Sequence, residues 1–507
     1  MVFQTYLSGL VSPGQCSKPH LLQACKTLSI LYVTCRQLNK RRKEEFLAIS
    51  EFYNEDLSLK MDFKKEYENW RTLNETKRSR SIQKLSLLDY PFLLDPISKV
   101  RVLKIDAVSQ MRVEYQNAIV HQARVQQAQR LREEVQSKAD ELEDAVKSAM
   151  CPFLVLEVRR DHLIEDTLNQ IYLKEFDLKK PLKIKYVGGG EQGLDMGGLQ
   201  KEFFHMIVEA VFDPGYGMFT YIEETHCVWL NSSSLESEKE FELVGILLGL
   251  AIYNGIILDV HFPLVIYKKL QGEKLDQQDL MNIQPSLAKS LRQLLEFEGD
   301  VEDTFCYTFQ VSSSEFGNLQ SVELLPNGEN IFVTNSNREQ FVSLYVNHLL
   351  VKSVERQFQA FSRGFHKVCG GAALTLFRPD ELELLICGCP VIDFYELEVA
   401  ASYEEGYNCN HPTVTILWKV VNEMTLEQKK AFLMFVTGSD RAPLKGLVNL
   451  TFIVQRHGED SDRLPAALTC FNRLLLPEYN TREKLKERLI VAIEIAKALV
   501  SPNVHGV

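Results

Sequence analysis

Four stretches of this chain carry side chains whose types and spacing fit chemistry. The first is Leu464-Pro465-Ala466-Ala467-Leu468-Thr469-Cys470-Phe471-Asn472. A Pro-led segment approaches the cysteine, a polar Asn472 follows, and Leu474-Leu475-Leu476 then leads to a break at Pro477-Glu478. That pattern reads as a loop between short strands near the surface, where a thiolate can meet a large partner. The bland alternative is a small, buried, inert thiol, the usual state of an intracellular cysteine. The second is a Cys–His pair for hydrolysis, because His457 stands thirteen residues before Cys470; no local signature couples the two. The third, Gly188-Gly189-Gly190-Glu191-Gln192-Gly193, spells GxGxxG after an expected strand. That strand alternates charge, Glu191 and Asp195 would repel a pyrophosphate, and the next helix begins only after Gly198, so a turn is the better reading. The fourth would assemble Cys387-Gly388-Cys389 and Cys409-Asn410-His411 into a zinc site. Both pairs have a one-residue gap where structural zinc favours two to four, and Cys387 continues an apolar helix face, so no metal is expected.

The elements that must position these groups follow from texture. At 507 residues the chain has room for two to four domains. Its net charge of -11, from 57 basic and 68 acidic residues, does not suit a nucleic-acid surface. Eleven scattered cysteines are too few for a disulfide framework, and Met1 to Leu7 lacks the basic start of a signal peptide. A cytoplasmic or nuclear reducing compartment is the expectation. Leu243 to Leu258 carries no charge but is short for a bilayer, includes Asn254 and closes at Asp259, so it reads as the central helix of a large domain, not a membrane insertion.

Residues 1–150 read as a helical extension. Met111 to Met150 lacks Gly and Pro and reads as one long helix. Ala128, Leu131, Val135, Leu142, Ala145 and Ala149 fall on heptad core positions, which leaves self-association open beside packing onto the same domain. Beyond Cys151-Pro152, helical and strand patterns alternate. Strands are expected at Leu182 to Val187, around Tyr307 to Val311, around Ile331 to Val333, and at Leu447 to Gln455. Gly388-Cys389-Pro390 breaks the helical pattern and marks the best internal boundary. Near the end, Asn480 with Glu483 spells a capping box for a final helix whose Leu485, Leu489, Ala492, Ile493 and Ala496 share one face.

At this point a family likeness becomes plain. Leu464-Pro465 with Thr469-Cys470-Phe471-Asn472, and Leu476-Pro477-Glu478-Tyr479 downstream, resembles the catalytic loop of HECT-type ubiquitin ligases. Landmarks in the same order support it: Gly193-Leu194-Asp195-Met196-Gly197-Gly198 with Lys201-Glu202-Phe203-Phe204, Tyr216-Gly217-Met218-Phe219, Phe361-Ser362-Arg363-Gly364-Phe365, Arg378-Pro379, and Thr437-Gly438-Ser439-Asp440-Arg441. The likeness covers about residues 151 to 497, and within the family the branch of the E6-associated protein is the one it resembles.

The resemblance implies an α+β, bilobal region: an N-lobe over 151–388, a C-lobe over 389–507 and a hinge at Gly388, Cys389 and Pro390. It implies that Cys470 accepts ubiquitin as a thioester from a ubiquitin-conjugating enzyme and passes it to lysines of protein substrates, without cofactor. Thr469 and Phe471 match the family loop, and Thr469 and Asn472 are local candidates for hydrogen bonding to the reacting carbonyl. Leu468 stands where the family commonly has His. The conjugating-enzyme groove falls on Leu287, Ser290, Leu291, Phe305, Tyr307 and Phe341. From spacing alone, Leu287 and Leu291 share a helix face and Phe305 and Tyr307 a strand face. Positions 498–507 lack the aromatic residue that supports lysine transfer in the family. Charging should survive and discharge should be slow, which keeps a ligase-shaped binding scaffold as the alternative.

Overall fold

Apolar residues at helical spacing organise the first unit. In α1 (Pro19–Arg41), Leu21, Cys25, Leu28 and Cys35 form a buried stripe, and in α2 (Phe63–Thr76) the stripe is Phe63, Tyr67 and Trp70. Helix α3 (Pro96–Arg130) starts with proline at its first position, where the missing N–H costs nothing, and packs on α2. Tyr67 donates to Asp106 of α3 at 2.6 Å. The computed structural model describes residues 19–41, 47–76, 86–130, 151, 153–187, 198–315, 318–390, 392–444 and 446–500. The long helix expected from Met111 thus begins earlier, at Pro96. Heptad positions 131–149, the GxGxxG segment and residues 501–507 lie outside the described residues.

The first unit gathers Met1–Pro152 with Cys369–Glu381. What joins its two pieces is a buried ionic knot. Lys99 Nζ of α3 lies 2.8 and 2.6 Å from the two Glu381 carboxylate oxygens, with both side chains 1% exposed. Tyr53 donates to the same carboxylate at 2.9 Å, and the Arg378 backbone N–H at 2.8 Å.

The second unit holds Phe153–Val368 and Leu382–Val507. Its first part opens with a parallel pair, β1 (Leu154–Val158) and β2 (Leu182–Tyr186), joined through α4 (Leu163–Leu173). Helix α5 (Gly198–Phe212) follows, then the hairpin of β3 (Phe219–Ile222) and β4 (Cys227–Leu230). Helix α6 (Glu238–Asn254) buries every residue from Phe241 to Ile252, as an uncharged run predicts for a central helix. No helix among the described residues is long and apolar enough to cross a membrane.

Next come α7 (Pro285–Glu296), the hairpin of β5 (Gln310–Glu315) and β6 (Asn318–Glu323), α8 (Arg338–Leu350) and α9 (Glu355–Cys369). Helices α6 and α9 meet backbone to backbone. A methyl group on Gly245 would overlap the Phe361 carbonyl, and one on Gly364 the Glu242 carbonyl.

Helix α10 (Pro379–Cys387) ends at Gly388, whose φ of +73° needs a residue without a Cβ. Cys389 and Ala442 then exchange backbone hydrogen bonds of 2.8 and 3.0 Å, so the expected hinge is tied to the second lobe immediately after its turn. That lobe contains α11 (Phe394–Ala400), β7 (Ala401–Glu404), α12 (Pro412–Asn422), α13 (Leu426–Thr437), β8 (Phe452–Arg456), β9 (Ala466–Leu468), β10 (Arg473–Leu476) and α14 (Arg482–Val500).

Its strands form one sheet in the order β7-β8-β10-β9, parallel except for the last pair. Leu417, Phe432, Phe452, Leu474, Leu485 and Leu489 share a single core there. Helix α14 packs on α12 and α13. Its cap is Thr481, whose hydroxyl accepts from Lys484 N–H at 3.3 Å; Asn480 donates instead to Asp460 at 2.8 Å. The expected strand from Leu447 also shortens, because 447–449 coil into a 3-10 turn before β8. The fold is α+β with two lobes in this unit.

Candidate functional site: a cysteine hairpin and an aromatic groove

Strands β9 and β10 pair antiparallel with Leu468 opposite Arg473, so Thr469-Cys470-Phe471-Asn472 form the tip of a hairpin. Thr469 to Phe471 make one 3-10 turn, and the Asn472 N–H closes it on the Thr469 carbonyl at 3.2 Å. Asn472 takes φ +49°, a left-handed conformation that Asn tolerates better than most side chains. Phe471 is half exposed beside the cysteine, as is Leu468 before it. Thr469 packs against the end of α13, its Cβ 3.7 Å from where a methyl group on Gly438 would lie.

The Asn472 carboxamide is engaged at both ends. Its Nδ2 donates to the Thr451 carbonyl at 3.1 Å, and its Oδ1 accepts from Lys201 Nζ at 3.0 Å. The side chain expected to serve the reacting carbonyl therefore frames the hairpin and meets the other lobe. Helix α5, which carries Lys201, packs on the Thr469–Phe471 turn and buries Phe203, Phe204 and Ile207.

Sequence reasoning quoted Lys201 but gave it no role. One signal was available: a cation in the first turn of a helix opposes the helix dipole and needs another reason to be there. A second missed cluster lies at the same lobe boundary. Desolvation, then the Asp440 carboxylate, push the Asp259 pKa above its ordinary value, against the pull of His261, Arg441 and His205.

The rival sites fall to geometry or lie out of view. In the parallel pairing of β8 with β10, Ile453 stands opposite Arg473 at the tip end, whereas the His457 N–H bonds to Leu476 at the far end. Four residues of strand at about 3.3 Å each separate His457 from the tip end, too far for a Cys–His pair. Cys387 is buried, donates to the Val260 carbonyl at 3.1 Å, and has its thiol pushed up to about 11 by burial. His411 caps α12 by accepting from the Thr413 N–H at 3.3 Å.

The residues expected to line a groove lie on α7, on α8 and at or just past the end of a short helix, Val301–Phe305. Leu287, Ser290 and Leu291 lie on α7, half-buried, exposed and buried in turn, and α7 packs on α8, which carries Phe341. Phe305 and Tyr307 do not share a strand. Phe305 ends a short helix, Val301–Phe305, Cys306 turns left-handed at φ +51°, and the strand begins only at Gln310. The kink still aligns the rings: Phe305 to Tyr307 is 5.7 Å between centroids, and Tyr307 stacks on Phe341 at 6.2 Å. Phe341 is 3% exposed and Tyr307 48%, so Tyr307 shows its ring to solvent while Phe341 is buried against it.

With this geometry in place, a family model described as HECT-domain (ubiquitin-transferase) matches residues 205–499. The chain belongs to the HECT-domain family. It is 40% identical over 484 residues to the probable E3 ubiquitin-protein ligase HECTD2 of Mus musculus, which covers 93% of this chain and 58% of that protein. To the probable E3 ubiquitin-protein ligase HERC4 of Homo sapiens it is 37% identical over 480 residues, 93% of this chain and 43% of that one. The similarity to these relatives therefore runs into the N-terminal unit, beyond the residues that the family model matches, while the chain spans less than two-thirds of either relative.

Proposed function

We propose that this chain is a ubiquitin-protein ligase that carries ubiquitin on Cys470. The observation that carries the reading is a cysteine at the tip of a two-stranded hairpin, set on its own core and packed against a helix of the other lobe. A hairpin tip gives a thiolate room to meet a partner's thioester. In the first step the Cys470 sulfur attacks the carbonyl carbon of ubiquitin held on a conjugating enzyme. The new carbon–sulfur bond forms as the old one breaks, and the enzyme's thiolate leaves. In the second, a substrate lysine nitrogen attacks the same carbon, Cys470 leaves as thiolate, and the amine's proton passes to water. The exchange of one thioester for another is nearly thermoneutral, so positioning does most of the catalysis.

Conjugating enzyme, ubiquitin and protein substrates are the partners in this reading, with a cytosolic or nuclear setting and proteasomal degradation of substrates as its finer expectation. Kinship with the E6-associated branch rests on the motifs; the relatives named above are of HECTD2 and HERC type. Their description as probable ligases favours transfer over a ligase-shaped scaffold. Incubated with ubiquitin and a charged conjugating enzyme, the chain should form a thiol-sensitive adduct that Cys470→Ala abolishes. An adduct that persists in the Ala variant, or moves to Cys369 or Cys389, sinks the assignment.

The groove has its own test. Tyr307→Ala removes an exposed ring and should slow charging by about tenfold with the fold intact, the cost of a moderate hot-spot residue. Phe341→Ala is a poorer probe, because emptying a buried aromatic site costs about 3–5 kcal/mol of stability by itself. Folded Tyr307→Ala that charges at the wild-type rate would move the docking surface elsewhere.

A further inference from the structure

We infer that Lys201 is a positioning residue for the second half-reaction: its ammonium, bound to Asn472 Oδ1, holds the Cys470 hairpin on the first lobe while ubiquitin passes to lysine. This rests on the reading of Cys470 given above. The contact joins the first turn of α5 to the residue two places after the cysteine, at 3.0 Å. Asn472 is buried, its backbone carbonyl accepts from the Ile453 N–H at 3.0 Å, and its Nδ2 holds Thr451, so the carboxamide cannot swing away from the tip. A pull on Oδ1 is thus transmitted to the hairpin as a whole.

The two half-reactions make opposite demands on this contact. To receive ubiquitin, the tip must meet a thioester on a large partner seated elsewhere. To discharge it, the thioester must be held still for a small amine. A charge-assisted hydrogen bond to a neutral acceptor, donated by a half-exposed lysine, orients the tip without fixing it as a buried ion pair would. The amine nitrogen forms its bond to the carbonyl carbon as the carbon–sulfur bond to Cys470 breaks. Lys201 contributes no proton or electron pair to that exchange and acts through Asn472.

The test separates the half-reactions in single-turnover assays on the full chain. Lys201→Met should leave the rate of adduct formation from charged conjugating enzyme unchanged and slow discharge of the preformed adduct to free lysine by roughly tenfold, the weight of one charged hydrogen bond. Lys201→Arg, which can still donate to Oδ1, should recover most of the rate. Asn472→Gly is the second variant: glycine accepts the left-handed backbone and deletes the carboxamide. It should also slow discharge, and adding Lys201→Met to it should change nothing more, as coupled residues require. Absence of any adduct in the wild-type chain would overturn the ligase reading itself. Normal adduct formation with wild-type discharge in either Lys201→Met or Asn472→Gly, or equal slowing of both steps, would overturn the role given to Lys201 alone.

Discussion

Lys99 and Lys201 each tie down a residue far away in the chain, Glu381 across 282 positions and Asn472 across 271. The first belongs to a knot sealed from water, with two carboxylate oxygens, a tyrosine hydroxyl and an arginine around it. Desolvation lowers the Lys99 pKa and the Glu381 charge opposes it, so each ion is tolerable only because the other is present. The second has a neutral acceptor and a half-exposed donor. A contact of the first kind opens only when its unit unfolds. On the role inferred for Lys201, the second kind can break with both lobes folded.

Breaking the sealed knot should have the largest effect. Lys99→Met leaves Glu381 in a dry site with Arg378 3.1 Å away, so the loss should fall at the low end for a broken buried pair, about 3 kcal/mol. Hydrogen exchange of the α3 amides should accelerate by about a hundredfold. The ratio of charging to discharge should not move. Lys201→Met should show the reverse: less than about 1 kcal/mol of stability, as for an exposed ionic contact, and a changed rate ratio. If Lys99→Met leaves exchange along α3 unaltered, burial is not what sets these two lysines apart.

Much of this was legible in the sequence because it rests on periodicity or on turn-forming residues. The buried helix around Leu243–Leu258, the helix-ending turn at Gly388 and the loop between short strands around Cys470 all follow from local rules. The family likeness supplied the expected groove residues, and the structure differs in one detail: Cys306 kinks the chain between two rings that were expected on one strand, yet the rings still meet. What sequence could not supply was pairing across distance. Nothing local to Lys99 announces Glu381, and nothing local to Asn472 announces Lys201. The Asn480–Glu483 box failed for a related reason, since Asp460 had already claimed Asn480 and Thr481 was free to cap.

The smallest effect should come from the carboxylate at the lobe boundary, and its sign is opposite to that of the lysine variants. Asp259 faces Asp440 and Arg441 of the C-terminal lobe and His205 and His261 of its own. The Asp440 Oδ1 atom is buried with no hydrogen-bond partner among the described residues. A carboxyl whose folded pKa lies above its unfolded value near 3.9 carries no penalty below that value, and destabilises progressively as pH rises through the folded pKa. Asp259→Asn should therefore raise the thermal midpoint at pH 7. Asp259 remains about one-third exposed and its ring partner His261 sits 3.7 Å away, so solvent and counter-charge screen the repulsion. The gain should be about 1 °C, fading as the pH is lowered toward about 4. A scanning calorimetry series across that range reads it directly. A midpoint that falls at pH 7 would mean that the Asp259 charge is held by His261 and Arg441 more firmly than Asp440 repels it, with the lobe boundary sealed by ionic contacts after all, whereas a gain that persists unchanged in acid would mean that the Asp259 charge is not its source.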